Sequence, residues 1–312
     1  MITIVYMGTP EFAVPALNAL VGREDINVAL VVSQPDRPAG RGGKLKSPAV
    51  IEAARHHGLQ TWQPESLKPD EAFEQLKAVK ADLYVVAAYG EILRQRVLDL
   101  PIHGALNIHG SLLPRWRGAA PIQWSIASGD ATAGVSLMKM ERGLDSGPVY
   151  AMSATMVGES MTSSDLHDHL ASDGAALLDA HLITVMDGAT PATQDFSRVT
   201  HARMLTRDDR SLDPALSAAA QAWWINGMSP WPGVTVKAGD DALAMLRARP
   251  TRHTTDRPAH VVEVRDGIPL VSDGRGAAFE LLQVRRPGKK VVSGRDWVNG
   301  EAVDGLQLEP NS

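Results

Sequence analysis

The chain has 312 residues, 44% hydrophobic and 21% charged, with a formal net charge of −5 and no cysteine. That composition supports about two globular domains of roughly 100 to 200 residues, while the missing cysteines exclude a disulfide framework, a thiolate metal site and a cysteine nucleophile. The acidic balance argues against a protein that coats nucleic acid without specificity.

The acidic excess is local: 22 acidic residues face 17 basic ones before Thr206, and the remainder carries 14 of each. The start, "MITIVYMGTPEF", has no basic segment ahead of an apolar stretch, and no apolar run reaches the roughly 18 residues of a membrane helix. A cytoplasmic protein without membrane contact is expected.

Residues 2–8, "ITIVYMG", read as a buried strand, and the following Thr9, Pro10 and Glu11 read as a helix start with Thr9 as N-cap. Further strands fall at 27–33 and 82–90, with a helix in "SPAVIEAARHHG" between them. The alternation runs on through "ALNIH", "AGVSLMKM" and "VYAMSATMV", and a long helix starts at Thr162, with Asp165 placed for a capping box. Strands alternating with helices imply an α/β, Rossmann-like domain with a mostly parallel sheet. Periodicity fades after Gly188, and the short runs "HVVEV", "IPLVS" and "AFELLQV" suggest a small β-barrel. The expected organisation is therefore a catalytic domain over 1–188, a linker over 189–205 and a barrel domain over 206–312.

Gly8 is not part of G-x-G-x-x-G, and no P-loop pattern occurs, so nicotinamide and P-loop chemistry are not indicated. The turn is either a plain tight turn or a helix N-terminus facing a polar ligand. Residues 35–48, "PDRPAGRGGKLKSP", form a loop-like basic stretch with Arg41 and Lys44 among glycines and prolines. It is either a solvated loop or a mobile arm for a phosphate-bearing partner. No histidine pair has metal-ligand spacing on a helix face.

Asn107 and His109 are two apart in "ALNIH", so a strand turns both to one face. Downstream, Asp145 sits between Gly143 and Gly147 in a loop that can approach an imidazole and hold its orientation. An amide donor, an imidazole and a carboxylate suit acyl transfer to a substrate that is its own nucleophile. The alternative is a structural histidine at a strand end.

"MGTPEFAVPAL", "QPDRPAGRGGKL", "AAYGEIL", "NIHGSLLPRWRGAAPIQW", "GVSLMKMERGLDSGPV" and "SPWPGV" occur in the order found in the methionyl-tRNA formyltransferases, within the folate-dependent formyltransferase family. The resemblance covers essentially the whole chain. It implies catalytic roles for Asn107, His109 and Asp145. It implies a folate-binding turn at Ser111, Leu112, Leu113 and Pro114, with Val86, Ala87 and Tyr89 lining the pterin pocket. Phe12 falls where the family places the methionine side chain. Arg41 and Lys44 match the segment that enters the tRNA acceptor stem. The family fold adds an OB-like C-terminal barrel, in which Arg285, Arg286, Lys289 and Lys290 of "RRPGKK" form the expected tRNA-facing cluster. The implied reaction is formyl transfer from 10-formyltetrahydrofolate, without a metal, to methionyl initiator tRNA by a monomer. Formylation of an amino sugar nucleotide is the alternative.

Overall fold

The structure is a computed structural model and describes residues 1–39 and 43–310. Its main sheet has seven strands, in the order Val149–Met156, Thr132–Lys139, Ala105–His109, Leu83–Ala87, Ile2–Gly8, Ile26–Val32 and Thr61–Trp62. The five from Ala105–His109 to Thr61–Trp62 run parallel, and Thr132–Lys139 pairs antiparallel with Ala105–His109. The two central strands are apolar because both faces are covered: Ile4, Val5, Tyr6 and Met7 are wholly buried, as are Leu83, Val85 and Ala87. From Ile2–Gly8 the chain first builds outward to Thr61–Trp62, then returns to the opposite flank at Leu83–Ala87. That reversal opens a crevice at the carboxyl ends of these neighbours, the place where such sheets hold ligands.

The crevice differs in one respect from its sequence reading. Thr9 caps no helix: its hydroxyl donates to the Tyr89 carbonyl at 2.8 Å, joining the two strand ends. A short 3-10 turn, Glu11–Ala13, leads into the helix Val14–Val21 instead. Gly8 is needed at this join, since a Cβ there would lie 2.8 Å from the Ala13 Cβ.

Two compact units are present, each assembled from three stretches: 1–118, 134–155 and 167–201 in the first, and 119–133, 156–166 and 202–312 in the second. Of the stretch 189–205 expected as linker, residues 189–201 fall in the first unit and 202–205 in the second. The helix Ser163–Met186 begins at its capping box, where the Thr162 amide and hydroxyl both donate to Asp165 Oδ2 at 2.9 Å.

The second unit is built on an antiparallel sheet ordered Val262–Arg265, Ile268–Ser272, Ala277–Arg285, Asp241–Thr254, Val234–Ala238 and Leu308–Pro310, with Val292–Ser293 paired to Ala277–Arg285. It is a curled half-barrel, consistent with the OB-like expectation. Phe279, Leu281, Val284 and Trp297 fill its core. The helix Ala218–Gly227 packs on the short helix Pro121–Ala127 so closely that a Cβ on Gly227 would lie 2.7 Å from the Ala127 Cβ.

Candidate active site

Asn107 and His109 lie on the Ala105–His109 strand, which is held between Leu83–Ala87 and Thr132–Lys139 through the register pairs Val86–Asn107, Asn107–Met138 and His109–Ser136. Their separation by two positions directs both to one face of the sheet. Asn107 is half-buried and His109 is 6% exposed.

Two backbone segments converge on the imidazole. Its Nε2 is 3.0 Å from the Trp116 carbonyl, and because a carbonyl only accepts, Nε2 carries the proton. Nδ1 is 3.7 Å from Asp145 Oδ2, too long for a hydrogen bond. Asp145 Oδ2 in turn accepts the Gly118 amide at 2.9 Å. The three residues 116–118 therefore touch both His109 and Asp145. Trp116 (φ +60°) and Asp145 (φ +47°) both occupy the left-handed region. For non-glycine residues this costs about 1–3 kcal/mol each, strain that concentrates at functional sites.

The supports of this centre come from residues that the sequence did not single out. Thr200 accepts the Trp116 amide on its hydroxyl at 2.8 Å and the Arg117 amide on its carbonyl at 2.9 Å. The Gln194 side chain, 6% exposed, accepts from Arg117 Nε and Nη2 at 3.1 and 2.7 Å. Its own amide nitrogen donates to the carbonyls of Asp145 and Gly147 at 2.8 and 2.7 Å. Arg117 is buried, its guanidinium 4.8 Å from the centre of the Phe196 ring. Burial pushes its pKa below the ordinary arginine value, and the Asp145 carboxylate opposes that fall.

The turn after His109 is a closed hydrogen-bonded unit. Ser111 is buried and donates its hydroxyl to the Arg115 carbonyl at 2.6 Å; Ser136 donates to the Ser111 carbonyl at 2.6 Å and accepts the Leu113 amide at 3.1 Å. Leu112 lies over Gly134, where a Cβ would come within 2.5 Å of it, and Leu113 and Pro114 are joined by a cis peptide. With its hydroxyl committed to a backbone carbonyl, Ser111 is not an available nucleophile.

A cavity of about 460 Å³ opens beside the crevice, lined by Thr9, Gln34, Arg37, Ser47, Ala88 and Tyr89 among others. Asn107, His109 and Asp145 do not line it; Val86, the register partner of Asn107, ends two residues before exposed Ala88. Val86, Ala87 and Tyr89 are buried, and the Tyr89 hydroxyl has no hydrogen-bond partner among the described residues. Phe12 is buried with its ring edge-on to His167 at 5.6 Å. The basic stretch expected as a loop forms a small antiparallel hairpin, Arg37–Ala39 against Lys44–Lys46. Lys44 occupies a strand position there, and Arg41 lies outside the described residues.

In the second unit, Arg285, Lys289 and Lys290 are exposed. Arg286 differs from them, since it forms a 2.7 Å ion pair with Glu301 and donates to the Ala238 carbonyl at 3.0 Å. Among the described residues, no group of three or more histidines and carboxylates is disposed to hold a metal, and no helix is long and apolar enough to cross a membrane.

A polar trio at the carboxyl edge of a doubly wound sheet, followed by a curled antiparallel domain, defines a two-domain formyl transferase: residues 1–182 match the family described as formyl transferase, and residues 205–302 match its C-terminal domain. The chain belongs to the methionyl-tRNA formyltransferase family. The methionyl-tRNA formyltransferase of Halorhodospira halophila is 44% identical over 96% of both chains, and that of Methylococcus capsulatus 41% identical over 98% of this chain and 99% of the relative. Among solved structures, the sugar 3N-formyl transferase WlaRD, determined in the presence of dTDP and 5-N-formyl-THF, aligns with a TM-score of 0.67 over 93% of this chain and 99% of its own at 13% identity. An N-formyltransferase from Helicobacter canadensis, in complex with folinic acid and dTDP-3-aminofucose, gives a TM-score of 0.66 at 13% identity over 90% of this chain and 99% of its own. These two likenesses speak to fold alone.

Proposed function

We propose that the protein transfers the formyl group of 10-formyltetrahydrofolate to the α-amino group of methionine on initiator tRNA, yielding N-formylmethionyl-tRNA. The observation that carries this reading is near-full-length similarity, at 44% identity, to a methionyl-tRNA formyltransferase, set against 13% for the sugar-modifying structures. The folate supplies a formyl carbon bound to a nitrogen leaving group. The buried, unpartnered Tyr89 hydroxyl offers the folate a polar contact.

The chain's own groups supply the catalysis. As the amine attacks, the formyl oxygen gains negative charge, and the Asn107 amide donates to it together with His109 in the form protonated on both ring nitrogens; single donors of this kind contribute about 3 kcal/mol. Asp145, 3.7 Å from the imidazole, accepts the amine proton, directly or through water, for delivery to the departing nitrogen. No enzyme nucleophile is required, in keeping with the committed hydroxyl of Ser111.

Residues 206–312 act as the tRNA-binding domain, with Arg285, Lys289 and Lys290 presented to phosphates, while Arg41 and Lys44 engage the acceptor stem. The enzyme works as a cytoplasmic monomer, a setting that its lack of cysteine suits. The test offers labelled 10-formyltetrahydrofolate with methionyl initiator tRNA, methionyl elongator tRNA, an amino sugar nucleotide or no acceptor. Label on the initiator tRNA supports the reading, and label confined to the sugar nucleotide overturns it.

A further inference from the structure

We infer that Gln194 is a positioning residue for formyl transfer: its side-chain amide fastens the backbone of the Asp145 turn to Arg117, and so sets where the Asp145 carboxylate stands relative to His109. All four hydrogen-bonding positions of the amide are used, two acceptor contacts from Arg117 and two donor contacts to the Asp145 and Gly147 carbonyls. An amide is the side chain that meets this demand, because a carboxylate has no proton for the two carbonyls and an amine has no lone pair for the guanidinium. The segment it fixes has little other freedom. A Cβ on Gly147 would lie 2.0 Å from the Lys139 carbonyl oxygen, and Asp145 is itself in the left-handed region. On the far side, the Arg117 strand position leads into Gly118, whose amide holds Asp145 Oδ2. The backbone of the turn and the carboxylate it carries are thus both referred to residues 117–118. Thr200 accepts the Trp116 and Arg117 amides, so Gln194 and Thr200 both tie to the segment that contacts His109 and Asp145.

The inference rests on the catalytic reading of His109 and Asp145, and a double-mutant cycle separates the two. Formyl transfer to methionyl initiator tRNA is measured for wild type, Gln194→Leu, Asp145→Asn and the double variant. Gln194→Leu is expected to lower kcat by roughly 10- to 100-fold, the scale of a small misplacement of a reacting group, with KM for both substrates within about twofold of wild type. In the Asp145→Asn background the same substitution is expected to cost less than about threefold, since there is no carboxylate left to misplace. Equal fold-losses in both backgrounds, or a loss in KM alone, overturn the positioning role. Unchanged turnover in Asp145→Asn instead overturns the catalytic reading on which it stands. Gln194→Asn, which keeps the amide on a shorter stem, is read in the same cycle if the leucine variant does not fold.

Discussion

His109 Nδ1 and Asp145 Oδ2 stand 3.7 Å apart, each tied to the same three-residue segment: the imidazole through the Trp116 carbonyl and the carboxylate through the Gly118 amide. The pair is thereby held at a separation fixed by one piece of backbone, with Nδ1 facing the carboxylate beyond hydrogen-bond distance. The geometry suits a transfer in which charge appears on a substrate oxygen and a proton must leave a substrate nitrogen.

The turn that carries Asp145 depends on glycine at a site of close approach. Gly147→Ala is expected to lower unfolding free energy by about 2 kcal/mol or more and to reduce turnover, because the new Cβ would meet the Lys139 carbonyl at 2.0 Å. Gly158→Ala, where the nearest atom is 3.9 Å away, is the matched control and is expected to stay within about 0.5 kcal/mol of wild type. Denaturant unfolding checks both; equal stabilities would show that the turn yields to the added methyl.

The basic cluster of the second unit divides into two kinds of residue. Alanine at exposed Arg285, Lys289 or Lys290 is expected to weaken tRNA binding and lower the salt slope by about 1 for each phosphate that the variant no longer neutralises. Arg286→Ala is expected to destabilise the fold, since it leaves Glu301 without its 2.7 Å partner. Affinity titrations from low to high salt, with thermal melts of the same variants, distinguish the two effects; a stable Arg286→Ala with a reduced salt slope would place that side chain on the tRNA.

Stability should fall on acidification in two stages. Burial holds the His260 pKa below the ordinary histidine value, so the unfolded chain takes up a proton that the folded one refuses, and stability declines as pH drops below about 6.5. The Arg203 guanidinium, with help from the Thr206 amide and against the effect of burial, holds the Asp209 carboxyl below the usual carboxylate range. Its stabilisation is complete above about pH 4 to 5 and is lost as pH falls through the folded value. His260→Gln is expected to flatten the upper stage and Asp209→Asn the lower, by up to about 1.4 kcal/mol per pH unit in unfolding titrations. A wild-type stability unchanged between pH 7.5 and 5.5 would contradict the first stage.

What the sequence made legible were features governed by local period. The apolar runs gave the parallel strands, and the two-residue spacing of Asn107 and His109 placed both on one sheet face. The hidden features are long-range and made through backbone atoms. Thr9 has the residue type and place of an N-cap, yet its hydroxyl goes to a carbonyl eighty residues away. The Trp116 carbonyl that orients His109 leaves no trace in residue type. Gln194 and Thr200 stand in a stretch without periodicity, and aperiodic chain read as linker here ties to the backbone of Asp145 and Trp116. The basic hairpin was hidden because its glycines and prolines signal a loop more strongly than its short strands signal pairing.

The most direct test of the account is a rapid-quench single turnover of formyl transfer to methionyl initiator tRNA, with enzyme in excess and both substrates saturating. Wild type is compared with His109→Ala and Asp145→Asn. Loss of roughly 100-fold or more in the chemical step for each variant, with binding of folate and tRNA retained, is the predicted result. Chemical steps within a few-fold of wild type in both variants would contradict the claim that this pair performs the transfer.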